Sequence, residues 1–155
     1  MQQSSSLSMA VSATLHCLSG CAIGEILGLI IGTAFGLTNG VTIALSVILA
    51  FAFGYLLTSL PLFRMGLSLK AVAAIALAAD TVSIAAMELA DNGTMLVIPG
   101  AMNAGLVNPL FWLALPLSLA AGFLVAVPVN KYLLERGKGH AVVHEYHMQQ
   151  GGAHE

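Results

Sequence analysis

Positive charge is scarce in this chain: five Lys and Arg residues among 155 positions, scattered rather than clustered, with a net charge of -2. That spread lacks the basic, aromatic-interleaved face of a nucleic-acid binder and excludes nucleic acid as a partner. Also missing are a glycine-rich nucleotide loop, a serine nucleophile triad and a hydrolytic metal motif, so conventional soluble-enzyme chemistry has no support and a non-enzymatic role is expected. Two cysteines, Cys17 and Cys21, are too few for a disulfide framework. Spaced four apart on a helix, they are also poorly placed to bridge each other.

What is abundant is apolar surface. Hydrophobic residues make up 58% of the chain and charged residues 8%, with a mean hydropathy of +0.92; such a composition belongs to a membrane protein surrounded by a lipid bilayer. Four apolar runs reach the roughly 20 residues a helix needs to cross a bilayer, at approximately 12–35, 41–60, 69–90 and 105–127. The expected fold is therefore all-α, with four transmembrane helices packed as a bundle. It divides into a short polar N-terminus at 1–11, a membrane domain at 12–130 and a His-containing tail at 131–155. Gly36 to Gly40 reads as the first turn and Asp91-Asn92-Gly93 as the end of the third helix.

Arg64 and Lys70 fall between the second and third runs, and Lys131, Arg136 and Lys138 follow the fourth. Excess positive charge marks cytoplasmic flanks, so both termini are expected in the cytoplasm. Phe111-Trp112 and Tyr132 fit aromatic anchoring at the two interfaces. Leu18-Ser19-Gly20-Cys21 resembles a lipoprotein cleavage site, but no basic region precedes it and the sequence stays apolar after it, so an uncleaved helix is expected.

The chemistry concentrates in helix one. With about 3.6 residues per turn, Cys17, Cys21 and Glu25 form one line, and His16, Gly20, Gly24, Gly28, Gly32 and Gly36 form the line beside it. Small residues permit close helix approach, so the five glycines are read as a packing groove, a glycine zipper. Thiols four apart can share one ion, and thiolate selects Cu(I), then Zn(II). The candidate metal set is thus His16, Cys17, Cys21 and Glu25. A carboxylate in hydrocarbon is costly unless it is protonated, paired or wet. Glu25, with Asp80 and Glu88 of helix three, is accordingly the candidate proton or ion relay, Glu25 and Asp80 lying at similar depth. Met95 and Met102, in an apolar connection, are read as packing ahead of soft ligation. In the tail, His140, His144 and His147 would share a face of a helix and are candidates for metal capture.

The helix-one pattern H-C-x-x-G-C-x-x-G-E, the Ala79-Asp80-Thr81 region, and Pro128 to Tyr132 leading to Arg136-Gly137-Lys138-Gly139-His140-Ala141 together resemble an uncharacterised family of small bacterial integral membrane proteins. The resemblance covers nearly the whole chain. It implies a helical fold in the bacterial inner (cytoplasmic) membrane, supplies no reaction, and draws attention to His16, Cys17, Cys21, Gly24, Glu25 and Asp80.

Three uses of this chain follow. The first is handling of a soft metal ion, foremost Cu(I), otherwise zinc, by binding, delivery or transport through the Cys/His/carboxylate site. The second is a structural or assembly subunit, within a homo-oligomer or a larger membrane complex, whose glycine groove receives a partner helix and which holds no metal. The third is a membrane thiol redox protein.

Overall fold

The computed structural model describes residues 2–64 and 66–136. Among these residues it is helical throughout, with no strand. Four long helices follow in order: α1 at Gln2–Ala34, α2 at Asn39–Arg64, α3 at Leu69–Val97 and α4 at Pro109–Glu135, with a short 3-10 turn, η1, at Ala101–Asn103. Three of them are long and apolar enough to cross a membrane, and α3 makes a fourth when its two segments, bent by 42° about the Ala78/Asp80 junction, count as one span.

Local chemistry sets the ends. After α1, Gly36 takes a left-handed φ of 63°, while Leu37 N–H bonds Gly32 C=O at 2.8 Å and Gly36 N–H bonds Thr33 C=O. This Schellman closure favours glycine because it carries no Cβ. Gly66 closes α2 in the same way, at φ 79°. Ser68 caps α3 through the Ala71 N–H, and Asn108 caps α4 through the Leu110 N–H at 3.0 Å with Pro109 in the first turn.

The ends differ from the sequence expectation in three places. Helix α1 starts at Gln2, so the polar N-terminus is not a separate segment. Helix α3 runs through Asp91-Asn92-Gly93 to Val97. Its polar residues bond within the helix instead of breaking it: Asn92 donates to Glu88 C=O and Thr94 Oγ1 to Ala90 C=O. Helix α4 continues past Pro128 to Glu135, taking in the first residues of the expected tail.

The helices form a ring in which α1 packs mainly on α2 and α3 on α4, with α1–α4 and α2–α3 contacts closing it. Polarity is inverted relative to a soluble domain. Thr14, Thr58, Asp80, Ser83, Glu88, Asp91, Ser118 and Asn130 are buried, whereas Ile48, Leu89, Leu117 and Leu124 are exposed. Such a contiguous apolar exterior suits hydrocarbon as the surrounding medium. Trp112 and Tyr132 are half-exposed, but Phe111 is buried and packs edge-on against Trp112, so it is a core residue and not an interfacial anchor.

Hydrogen bonds between neighbouring helices help tie the ring. Asn130 Nδ2 of α4 donates to Thr14 Oγ1 of α1 at 2.8 Å, and the Tyr55 hydroxyl of α2 shares a 2.9 Å bond with Thr81 of α3. Thr81 Oγ1 also reaches back to Leu77 C=O at 2.6 Å. Back-bonding of this kind often accompanies helix bends, and this one lies at the bend of α3 beside Asp80.

Candidate functional site

The two lines of α1 meet different neighbours. A Cβ added at Gly20 would lie 2.7 Å from the Gly54 nitrogen of α2; at Gly24 it would collide with Ala50, at Gly28 with Ser46 and at Gly32 with Thr42. These four glycines let the α2 backbone settle directly on α1. The groove is therefore filled from within the chain, which leaves it closed to a partner helix. Gly36 does not belong to it: it lies beyond α1, nothing would meet its Cβ within 4 Å, and its part is the turn. His16 sits at the head of the glycine line, half-buried, and not on the line of the thiols.

The neighbouring line faces α3. Cys17 and Cys21 are free thiols, each 1% exposed, in one cluster with Ala50, Ile84, Met87 and Ala126. The Cys17 thiol donates to Asp80 Oδ1 at 3.8 Å, with Ser83 alongside and Thr58 of α2 next to Asp80. One turn on, Cys21 lies beside Glu88, whose Oε2 accepts from Asn92 Nδ2 at 3.2 Å. One further turn on, Glu25 meets Asp91. The result is a file of three rungs, Cys17/Asp80, Cys21/Glu88 and Glu25/Asp91, running along the bundle between α1 and α3.

The file is rich in buried side-chain oxygens, those of Ser83, Thr58, Glu88, Glu25 and Asp91, whose hydrogen bonds run to the thiols and to one another: Ser83 with Cys17, Thr58 with Asp80, Glu88 with Cys21 and Glu25 with Asp91. Carboxyls bonded to each other or to thiols in this way need a proton on one member of each pair, so the file is a chain of proton-holding groups. At its Glu25/Asp91 end the file opens into a cavity of about 360 Å³. The walls come from the α1 and α3 ends, the start of α2, η1 and Phe111 and Leu115 of α4. Asn39 of α2 donates to Asn103 of η1 across it.

Glu25 and Asp80, at similar depth by sequence, take different neighbours. Asp80 takes Cys17, while Glu25 meets Asp91, eleven residues or about 16 Å further along α3. Helical spacing puts Asp91 on the same α3 face as Asp80, Ser83 and Met87, but reading Asp91-Asn92-Gly93 as a terminating turn leaves Asp91 and Asn92 outside the candidate relay; the continuing α3 brings them in. Met95 and Met102 line the cavity. Among the described residues no group of three or more His, Cys, Asp and Glu side chains is arranged to hold a metal ion. His140, His144 and His147 lie outside the described residues.

Residues 7–139 match the family model DUF4396, a domain of unknown function, and the chain belongs to that family. No curated protein and no solved structure matches it.

Proposed function

We propose that the chain is a four-span protein of the bacterial inner membrane, with both termini cytoplasmic, that binds a soft metal ion at Cys17 and Cys21 for delivery or transport. Cu(I) is the ion that two thiolates select most strongly, with Zn(II) next. The observation that supports this reading is the pairing of two free, buried thiols one turn apart with an acidic side chain of α3 beside each. Cu(I) is satisfied by two sulfur ligands and needs no third protein group.

The thiolate is the binding form, so loading removes the thiol protons. Asp80, which already accepts from Cys17, and Glu88, beside Cys21, are the nearest groups to receive them. One monovalent ion on two thiolates leaves one negative charge; the two released protons neutralise the Asp80 and Glu88 carboxylates, so the net charge of the site falls from two negative charges to one. Metal entry and proton movement are thereby coupled along the α1–α3 file. His16, on the adjacent line, is a flanking group in this scheme, and Glu25 belongs to the opposite end of the file.

An assembly role would have to use a face other than the glycine groove, which α2 already fills. Thiol exchange with a partner protein is opposed by the burial of both sulfurs. The test is elemental analysis of the full chain, purified anaerobically under reducing conditions and offered Cu(I). About one copper per wild-type chain and none in the Cys17→Ser/Cys21→Ser variant is expected. A wild type that takes up no copper, or a variant that keeps it, would overturn the proposal.

A further inference from the structure

The cavity at the η1 end has a composition of its own. Two carboxyl groups enter it, Glu25 from α1 and Asp91 from α3, and among the described residues no Lys, Arg or His lines it. Asp91 is only 3% exposed, and its side chain pairs with that of Glu25, while its Oδ1 and Glu25 Oε2 find no N–H or hydroxyl donor among the other described residues. With the cavity empty the two carboxyls share a hydrogen bond, which requires a proton on one of them; a cation that displaces this proton can be held by both. The remaining polar lining also offers oxygen: the Asn39 and Asn103 amides and the Thr42 and Ser46 hydroxyls. Its only sulfurs are the uncharged thioethers of Met95 and Met102.

The geometry points to a second ion site, separate from the thiol pair: a partly hydrated divalent cation of the Mg²⁺ class, held between Glu25 and Asp91 at the base of this cavity. Oxygen donors, and the two negative charges left once the shared proton is displaced, favour a hard divalent ion over a soft one. Size favours retained water. A water molecule takes about 30 Å³, so the space holds on the order of ten, and Mg²⁺ characteristically keeps several waters while binding through one or two carboxylates. Neither cysteine lines the cavity, so the site operates whether or not the thiols hold copper.

Mn²⁺, a paramagnetic stand-in for Mg²⁺, provides the test. Its solution electron paramagnetic resonance signal is followed as it is added to the full chain in detergent. About one Mn²⁺ per chain should bind, be displaced by Mg²⁺, persist in the Cys17→Ser/Cys21→Ser variant, and weaken at least roughly 100-fold in Glu25→Gln/Asp91→Asn. Absence of Mn²⁺ uptake by the wild type overturns the site; so does unchanged uptake in the carboxyl variant. Displacement by Ag(I) but not by Mg²⁺ in the cysteine-free variant overturns the hard-cation assignment. Placement is checked without touching the carboxyls, by a nitroxide on Met102→Cys or on Glu135→Cys in that variant. Bound Mn²⁺ should speed relaxation of the label at position 102, on the cavity wall, and not at 135, at the far end of α4. Equal effects at both positions would contradict it. Failure of copper binding alone leaves this result unchanged, so the two proposals fail separately.

Discussion

Helix α1 carries two neighbouring stripes whose contents could hardly differ more. Along one, Gly20, Gly24, Gly28 and Gly32 meet the backbone and small side chains of α2. Along the other, Cys17, Cys21 and Glu25 meet Asp80, Glu88 and Asp91 of α3. The first stripe has no functional group to offer, and its work is finished once α2 is seated. The second combines thiols and carboxyls that sterics alone would not require. Because the stripes are one residue out of phase, the first serves the second: seating α2 fixes the rotation of α1, and that rotation turns the thiols toward α3.

The comparison is most sharply broken by Gly24→Leu. A Cβ there already collides with Ala50, and a full side chain should cost about 3 kcal/mol or more, read as loss of the folded fraction in a detergent-to-SDS titration. Gly40→Ala, where nothing would meet the new methyl within 4 Å, should stay within about 0.5 kcal/mol of wild type. If the two variants behaved alike, close approach would not be what the glycines provide.

On the other stripe, Asp80→Asn/Glu88→Gln keeps shape and removes the proton acceptors. Copper affinity should fall roughly 10- to 100-fold, with the fold intact by circular dichroism. The sign of the pH dependence follows from the ligand chemistry: binding displaces thiol protons, so affinity should rise as pH rises. Affinity that is flat with pH, or indifferent to the double substitution, would detach the carboxyls from the thiols.

The Gly40→Ala control aside, the smallest expected effect is that of Thr81→Val, which removes both the back-bond to Leu77 and the bond to Tyr55. A loss of about 1 kcal/mol is expected, together with a straighter α3 in distance measurements between labels on its two halves. An unchanged bend would require another cause for it.

The helical fold was legible because hydrophobic run length is a strong signal, and the turn at Gly36 and the entry at Asn108-Pro109 each have a mechanism readable from residue type. The end of α3 was not. Asp91-Asn92-Gly93 carries a turn composition, yet Asn92 and Thr94 bond to carbonyls one turn back and the helix continues. That single misreading left Asp91 outside the candidate relay, and with it the partner of Glu25. The stacking of Cys17, Cys21 and Glu25 needed only helical periodicity, but their partners depend on how α3 is rotated and bent, which local sequence does not specify. Depth alone put Glu25 level with Asp80; the bend and the register give each a different neighbour.

The most direct measurement is copper K-edge X-ray absorption on the anaerobically loaded full chain. A first shell of two sulfurs, with about one copper per chain, is the result the account predicts. A shell of nitrogen and oxygen, or copper too sparse to reach one per chain, would contradict it.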